Sequence, residues 1–395
     1  MLNFENIRLL SESIIKRNMD IEKIIRPQVK NFIPYIPGKP IEELRRELGI
    51  KNKTISKLAS NENPLQPTKK VLSYIKNTLS TVNRYPESSC YYLRKALSKK
   101  LQVKESEIIF GAGSDEIIEL LGKTFLTEKD EIIVSKHAFI RYKMAGELMG
   151  CKIITVPMDR NLKHDLEKMA KHVNKKTKIV FVANPNNPTG TYNNVNEMKN
   201  FIKEVVKRNK NTLIVCDQAY YEYARSACKD YPDIIEFFKA GYRNVIALRT
   251  FSKIYSLAGL RIGYAVCAEE IVNYLDRIRP PFNVSTVAQA AALASLKDIR
   301  HIKESIRLVN EGKKFLYNEF NKLGIEYIPS VTNFILAKIN NISGKEVFNK
   351  LLKFGIIVRA VDEYELPQYF RVTIGTKEEN YRLVYVLKRI LYTQP

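Results

Sequence analysis

The sequence predicts an α/β protein: a large domain on a seven-stranded, mainly parallel sheet, followed by a smaller α+β domain. Three observations predict it. Short apolar runs recur through the middle of the chain, helical patterns separate most of them, and the texture changes after residue 280. Strand–helix alternation of this kind suits a sheet covered on both faces. A length of 395 residues gives room for two or three domain-sized units. With 45% apolar and 27% charged residues, the chain can fill a large core.

Residues 1–30 read as an N-terminal arm of one or two short amphipathic helices, LLSESIIKR and then DIEKIIRP. Pro27, Pro34, Pro37 and Pro40 interrupt RPQVKNFIPYIPGKP and predict an extended stretch without regular structure. That stretch opens a segment, 31–70, that joins the small domain. Within the segment, IEELRRELG reads as a short helix closed by Gly49.

The large domain is expected over 71–280. Its strands are EIIF (107–110), EIIVS (131–135), KIITVP (152–157), KIVFVA (178–183), TLIVCD (212–217), NVIALR (244–249) and RIGYAV (261–266). SDEIIELLGKTF and VNEMKNFIKEVVKR are two of the helices between them. RPPFN (279–283) reads as a hinge into the small domain, 281–395. There a long helical region covers about 285–323. Strands FILAKI (334–339), IIVRAV (356–361) and FRVTI (370–374) follow, then a closing helix, EENYRLVYVLKRIL.

Composition narrows the function. Lys and Arg number 65 against 42 Asp and Glu, a formal net charge of +23. The excess is spread along the chain in KNK, KK and KHVNKK, with no compact basic block. It argues for a field that attracts small anions, not for nucleic-acid binding. The cysteines, at 90, 151, 216, 228 and 267, form no CxxC pair, and four His are scattered. No metal site is expected, and reduced thiols in the cytoplasm are. No apolar run reaches the ~18 residues of a membrane span. Glu5, Glu12 and Asp20 interrupt the N-terminus, so a cleaved signal is not expected.

In open α/β sheets ligands gather beyond the carboxyl ends of the strands. KIVFVA runs into NPNNPTG (184–190), TLIVCD into DQAY (217–220), and NVIALR into TFSKIYSLAGLRIGY (250–264). Three strand ends thus offer Asn, Asp, Tyr and Lys. A lysine joins an aldehyde when desolvation and neighbours lower its pKa. A buried aspartate holds a pyridine nitrogen protonated, which makes the ring draw electrons. A tyrosine and an asparagine can hydrogen-bond a ring oxygen. Hydroxyls, an arginine and a helix N-terminus can hold a phosphate. Together these parts describe a pyridoxal-phosphate site.

Eight motifs carry a family resemblance: LASNENP (58–64), NRYPE (83–87), GAGSDEII (111–118), NPNNPTG, DQAYYEY (217–223), TFSKIYSLAGLRIGY, IIVR (356–359) and FRVTIGT (370–376). In this order and spacing the chain resembles the class I/II, fold-type-I pyridoxal-phosphate aminotransferases. Within that family it is most similar to the histidinol-phosphate aminotransferases. The resemblance runs from residue 30 to the C-terminus.

It implies the following roles. Lys253 carries the cofactor and moves the substrate α-proton. Asp217 pairs with the pyridine nitrogen, and Tyr220 and Asn187 bond the ring oxygen. Ser114, Asp115, Thr250, Ser252 and Arg261 hold the phosphate, with Gly111 and Gly113 permitting a close turn. Phe139, in KHAFIRY, stacks on the ring. His137 is a polar loop residue. Tyr85 reaches the cofactor phosphate of a neighbouring subunit, which implies a homodimer. Arg371 binds the α-carboxylate and Arg359 a second anion, with Tyr35 and Asn63 closing over it.

The activity implied is transamination between L-histidinol phosphate and 2-oxoglutarate, in histidine biosynthesis. Aromatic amino-acid transamination and threonine-phosphate decarboxylation are the alternatives on the same fold, because substrate choice lies in a few contacts. A non-catalytic regulator on this fold would carry a helix-turn-helix ahead of it, for which 30 residues are too few. It would also have lost the lysine that stands at 253.

Overall fold

The computed structural model describes residues 20–30, 32–34, 38–49 and 55–392. The described residues fall into two units, one before residue 35 and one after it. In the first, Asp20 caps a one-turn helix, Ile21–Ile24, by accepting from the Glu22 amide at 3.2 Å. Pro27, expected to forbid regular structure, instead opens a second turn of helix, Pro27–Lys30. At the first helical position a missing N–H costs nothing. LLSESIIKR lies outside the described residues.

The second unit contains three sheets. Its strands are β1 (Ser56–Lys57), β2 (Ile108–Gly111), β3 (Glu131–Ser135), β4 (Lys152–Val156), β5 (Thr177–Ala183), β6 (Leu213–Asp217), β7 (Val245–Thr250), β8 (Gly263–Val266), β9 (Glu326–Ile328), β10 (Phe334–Lys338), β11 (Ile356–Ile357), β12 (Arg359–Ala360) and β13 (Tyr369–Thr373). Seven of them form one sheet in the order β2-β8-β7-β6-β5-β3-β4. All seven apolar runs read from the sequence lie in it. β8 is antiparallel to both neighbours and the other pairings are parallel. β3, β6 and β7 are buried from end to end, and β5 at every residue but Lys178, as a sheet covered on both faces requires.

The region after 280 departs from the expected pattern in three places. The helical stretch breaks into Thr286–Ser295 and Ile299–Lys322. Asp298 causes the break: its carboxylate accepts from the His301 amide at 3.1 Å and starts the second helix. IIVRAV is two strands, not one. β11 pairs parallel with β1, and β12 pairs antiparallel with β13 in a four-stranded sheet, β12-β13-β10-β9. The chain changes sheets at Val358. β9 carries no apolar alternation and was not anticipated.

Among the described residues, no helix is long and apolar enough to cross a membrane. No group of His, Cys, Asp or Glu among them is arranged to hold a metal ion. The five cysteines are free.

Candidate active site

The carboxyl ends of β2, β5, β6 and β7 open on a cavity of about 390 Å³. Twelve of the fifteen residues picked from the sequence line it: Ser114, Asp115, Phe139, Asn187, Asp217, Tyr220, Thr250, Ser252, Lys253, Arg261, Arg359 and Arg371. Tyr35 lies outside the described residues. Tyr85 is 82% exposed and stacks on Phe282 at 4.7 Å, away from this cavity. Asn63 does not reach it either. Its amide donates to the Ile254 carbonyl at 3.0 Å and the Ser305 hydroxyl at 2.8 Å, and it lines a separate pocket.

Asp217 ends β6. Its Oδ2 accepts from the Tyr142 hydroxyl at 2.8 Å, and its Oδ1 from the Ala219 amide at 2.9 Å. Burial pushes this carboxyl above its ordinary range, and the two hydrogen bonds pull it back. Tyr142 was not singled out from the sequence. It is buried, stacks on Phe181 at 5.0 Å and follows Phe139 by one helical turn.

Tyr220 takes a hydrogen bond on its hydroxyl from the Asn61 amide at 2.8 Å. Of the two asparagines in LASNENP, Asn61 is the one in the cavity. Its φ of +54° breaks the alternation of an extended chain, so pattern alone gives no cue to which asparagine points inward. Asn187 accepts from the Arg371 guanidinium through its side-chain oxygen.

Lys253 stands at the centre. Its Nζ donates to the Ser60 carbonyl at 3.1 Å and lies 5.6 Å from the Tyr220 ring centre. Burial pulls its pKa down to about 8, helped by the Arg371 and Arg261 charges and opposed by Glu62 and Asp217. A lysine held there is in part a free amine near neutral pH and can act as a nucleophile or base.

One end of the cavity is a cradle for an anion. The helix Ser114–Phe125 begins at Gly113, which gives no side-chain cap, so its first N–H groups are free to face a ligand. Gly113 has φ +84°, and a Cβ there would stand 2.5 Å from Arg261 Nη2. Ser252 and Thr250 share a hydroxyl hydrogen bond of 2.9 Å beside them.

At the other end are the two remaining arginines. Arg359 and Arg371 are direct register partners across β12 and β13, so their side chains leave the same face. Both are buried. Like charges opposite each other cost stability unless anions answer them. Arg371 also donates to the Ala59 carbonyl at 2.6 Å, while Arg359 is paired with Glu363.

A family model described as aminotransferase class I and II matches residues 53–387. The chain belongs to the class I and II aminotransferases. It is 44% identical to the histidinol-phosphate aminotransferase of Moorella thermoacetica over 93% of this chain and 92% of the relative. The enzyme of that name from Caldicellulosiruptor saccharolyticus is also 44% identical, over 93% of this chain and all of the relative. Among solved structures, histidinol-phosphate aminotransferase from Sinorhizobium meliloti, in complex with pyridoxal-5'-phosphate, superposes with a TM-score of 0.85. It covers 94% of this aminotransferase and all of its own chain, at 25% identity.

The donor set of this aminotransferase fits pyridoxal phosphate. A carboxylate, a phenol with an amide, a poorly basic lysine and an uncapped helix end each match one group of that cofactor. At the phosphate end the missing Cβ of Gly113 lets the Arg261 guanidinium stand against the start of the helix, where a Cβ would meet it at 2.5 Å.

Proposed function

We propose that this aminotransferase exchanges an amino group between L-histidinol phosphate and 2-oxoglutarate, giving imidazole acetol phosphate and glutamate, in histidine biosynthesis. Two buried arginines in cross-strand register, in one cavity with a poorly basic lysine, carry the reading. A site of this kind suits a donor with an amine and a phosphate, and an acceptor with two carboxylates. The naming of relatives 44% identical over almost the whole chain supports it.

Pyridoxal 5'-phosphate supplies, when bound, an aldehyde for the amino group and a ring that draws electrons from the α-carbon. The protein does the rest. Lys253 would hold the cofactor, and its Nζ, when free, would carry the proton taken from the donor's α-carbon. Asp217 stays ionised to pair with a protonated ring nitrogen. Tyr220 and Asn187 hold the ring oxygen, and Phe139 covers the ring. The Ser114 and Asp115 amides, with Thr250, Ser252 and Arg261, hold the phosphate. Arg371 orients the α-carboxylate of glutamate, and Arg359 takes the phosphate of one substrate and the distal carboxylate of the other. One anion locus then serves both half-reactions.

The reading includes 71–280 as the cofactor-binding domain, 281–395 as the small domain, and a cytoplasmic setting. It also includes a homodimer in which Tyr85 reaches the neighbouring subunit's cofactor phosphate. At 82% exposed, the Tyr85 side chain is accessible to a second copy of the chain.

The test is a titration of the cofactor-loaded protein. Histidinol phosphate should abolish the visible cofactor band, and 2-oxoglutarate should restore it. If phenylalanine or tyrosine abolishes the band and histidinol phosphate does not, the donor class is aromatic. If no visible band forms with excess cofactor, the site assignment fails.

A further inference from the structure

Inside the cavity the Arg359 guanidinium is held by the Glu363 carboxylate, four residues on. The pair is shielded, with side-chain exposures of 11% for Arg359 and 24% for Glu363. Arg371, its register partner, forms no ion pair among the described residues and donates to neutral oxygens of Asn187 and Ala59. The two arginines are therefore not equivalent. One brings its own anion and the other waits for one.

Glu363 lies in the turn Asp362–Tyr364. The turn is pinned just after Glu363. His137 Nδ1 lies 2.6 Å from the Tyr364 carbonyl oxygen, the Tyr364 ring is buried, and Lys136 pairs with Glu365 at 3.2 Å. The Glu363 carboxylate can then leave Arg359 by rotating its own side chain while the backbone stays. A second resting place adjoins it. A cavity of about 70 Å³ is lined by Glu363 and Glu365 together with Lys136, Lys143 and Phe139. Phe139 lines both this cavity and the large one.

We propose that Glu363 is a resident counter-anion for Arg359, exchanged for the anionic group of the incoming donor, and that it thereby sets which donors the site accepts. The inference rests on the amino-transfer reading above. With Glu363 in place, an uncharged donor side chain meets an ion pair and not a lone buried cation. An anionic donor takes over the guanidinium and sends the carboxylate toward Lys136 and Lys143. Displacing Glu363 subtracts from the binding of anionic donors, and its presence spares uncharged ones.

The test is E363Q in the cofactor-loaded enzyme, with 2-oxoglutarate as acceptor. The variant keeps the side-chain shape and removes the charge. The KM for histidinol phosphate should fall by about tenfold, the worth of one charge-assisted hydrogen bond. The KM or competitive Ki of L-phenylalanine should rise in the same variant. A purely structural Glu363, needed to hold Arg359 in place, gives the opposite sign for histidinol phosphate. A KM for histidinol phosphate that rises or does not change overturns the inference and leaves the function standing. Wild-type enzyme that does not convert histidinol phosphate overturns both.

Discussion

At one end of the cavity the polar groups stand on the carboxyl ends of the large sheet. At the other they stand on two short strands and a turn of the small one. The first end is held at three points by backbone, beside the Tyr142 hydroxyl on Asp217. The Ala219 amide fixes Asp217, a helix N-terminus faces the cradle, and Gly113 leaves room for Arg261. The second end is held mainly by side chains, Glu363 on Arg359 and Asn187 on Arg371, with the Ala59 carbonyl as a backbone partner of Arg371. Backbone donors cannot be exchanged for a ligand, whereas side-chain partners can. The cofactor end is thus suited to one permanent guest, and the anion end to two substrates in turn.

The comparison breaks first at Lys253, which stands between the two ends. K253A should lower kcat by at least about a thousandfold, within the range attributed to a positioned proton-transfer group. Single-turnover amine transfer measures it, and a loss of less than tenfold would remove Lys253 from the mechanism. R371M comes next. Leaving a carboxylate without its buried partner costs about a hundredfold in kcat/KM for glutamate. The same change should reach across the cavity. After burial, the Arg371 charge is the largest influence holding the Lys253 pKa down at about 8. Removing that charge favours the protonated amine, so the pKa rises. Acylation of Lys253 in the cofactor-free protein, followed by peptide mass spectrometry against pH, reads it. An inflection that stays in place would mean the two ends do not communicate.

The two ends also differed in how legible they were. At the cofactor end, Asp217, Lys253 and Asn187 each follow an apolar run, and a strand end is visible in sequence. Tyr142 escaped notice because it lies in a helix and acts through Asp217, and nothing in one sequence marks a contact across 75 residues. At the anion end β11 and β12 are two residues long and the chain changes sheets at Val358, so around Arg359 periodicity had little to register. Arg359 and Arg371 were found through the family resemblance, not through pattern. Asn61 and Asn63 share one motif, and only the left-handed turn at Asn61 decides which of them faces the cavity.

Smaller changes sharpen the claim that the cofactor end is built by backbone. In G113A a methyl group must enter the space of the Arg261 guanidinium, on a backbone at φ +84°. The strain costs about 1 kcal/mol. Cofactor affinity, measured by equilibrium titration of the cofactor-free protein, should fall by about tenfold if Arg261 holds the phosphate. A variant that unfolds earlier and binds cofactor as before would confine Gly113 to the turn.

Y142F has the smallest expected effect and asks the most specific question. Phenylalanine keeps the stack on Phe181, so thermal stability should change little. It removes the donor to Asp217 Oδ2 and leaves the Ala219 amide on Oδ1. The lost hydrogen bond was one of those holding the carboxyl down against burial, so the pKa of Asp217 rises further. A protonated Asp217 cannot hold a protonated ring nitrogen. Cofactor affinity should therefore weaken as pH falls, and the weakening should begin at higher pH in Y142F than in wild type. At neutral pH the difference should be about threefold to tenfold. If affinity in Y142F follows the wild-type pH profile, the Ala219 amide alone is enough to keep Asp217 ionised, and the cofactor end depends on backbone even more completely than its hydrogen bonds suggest.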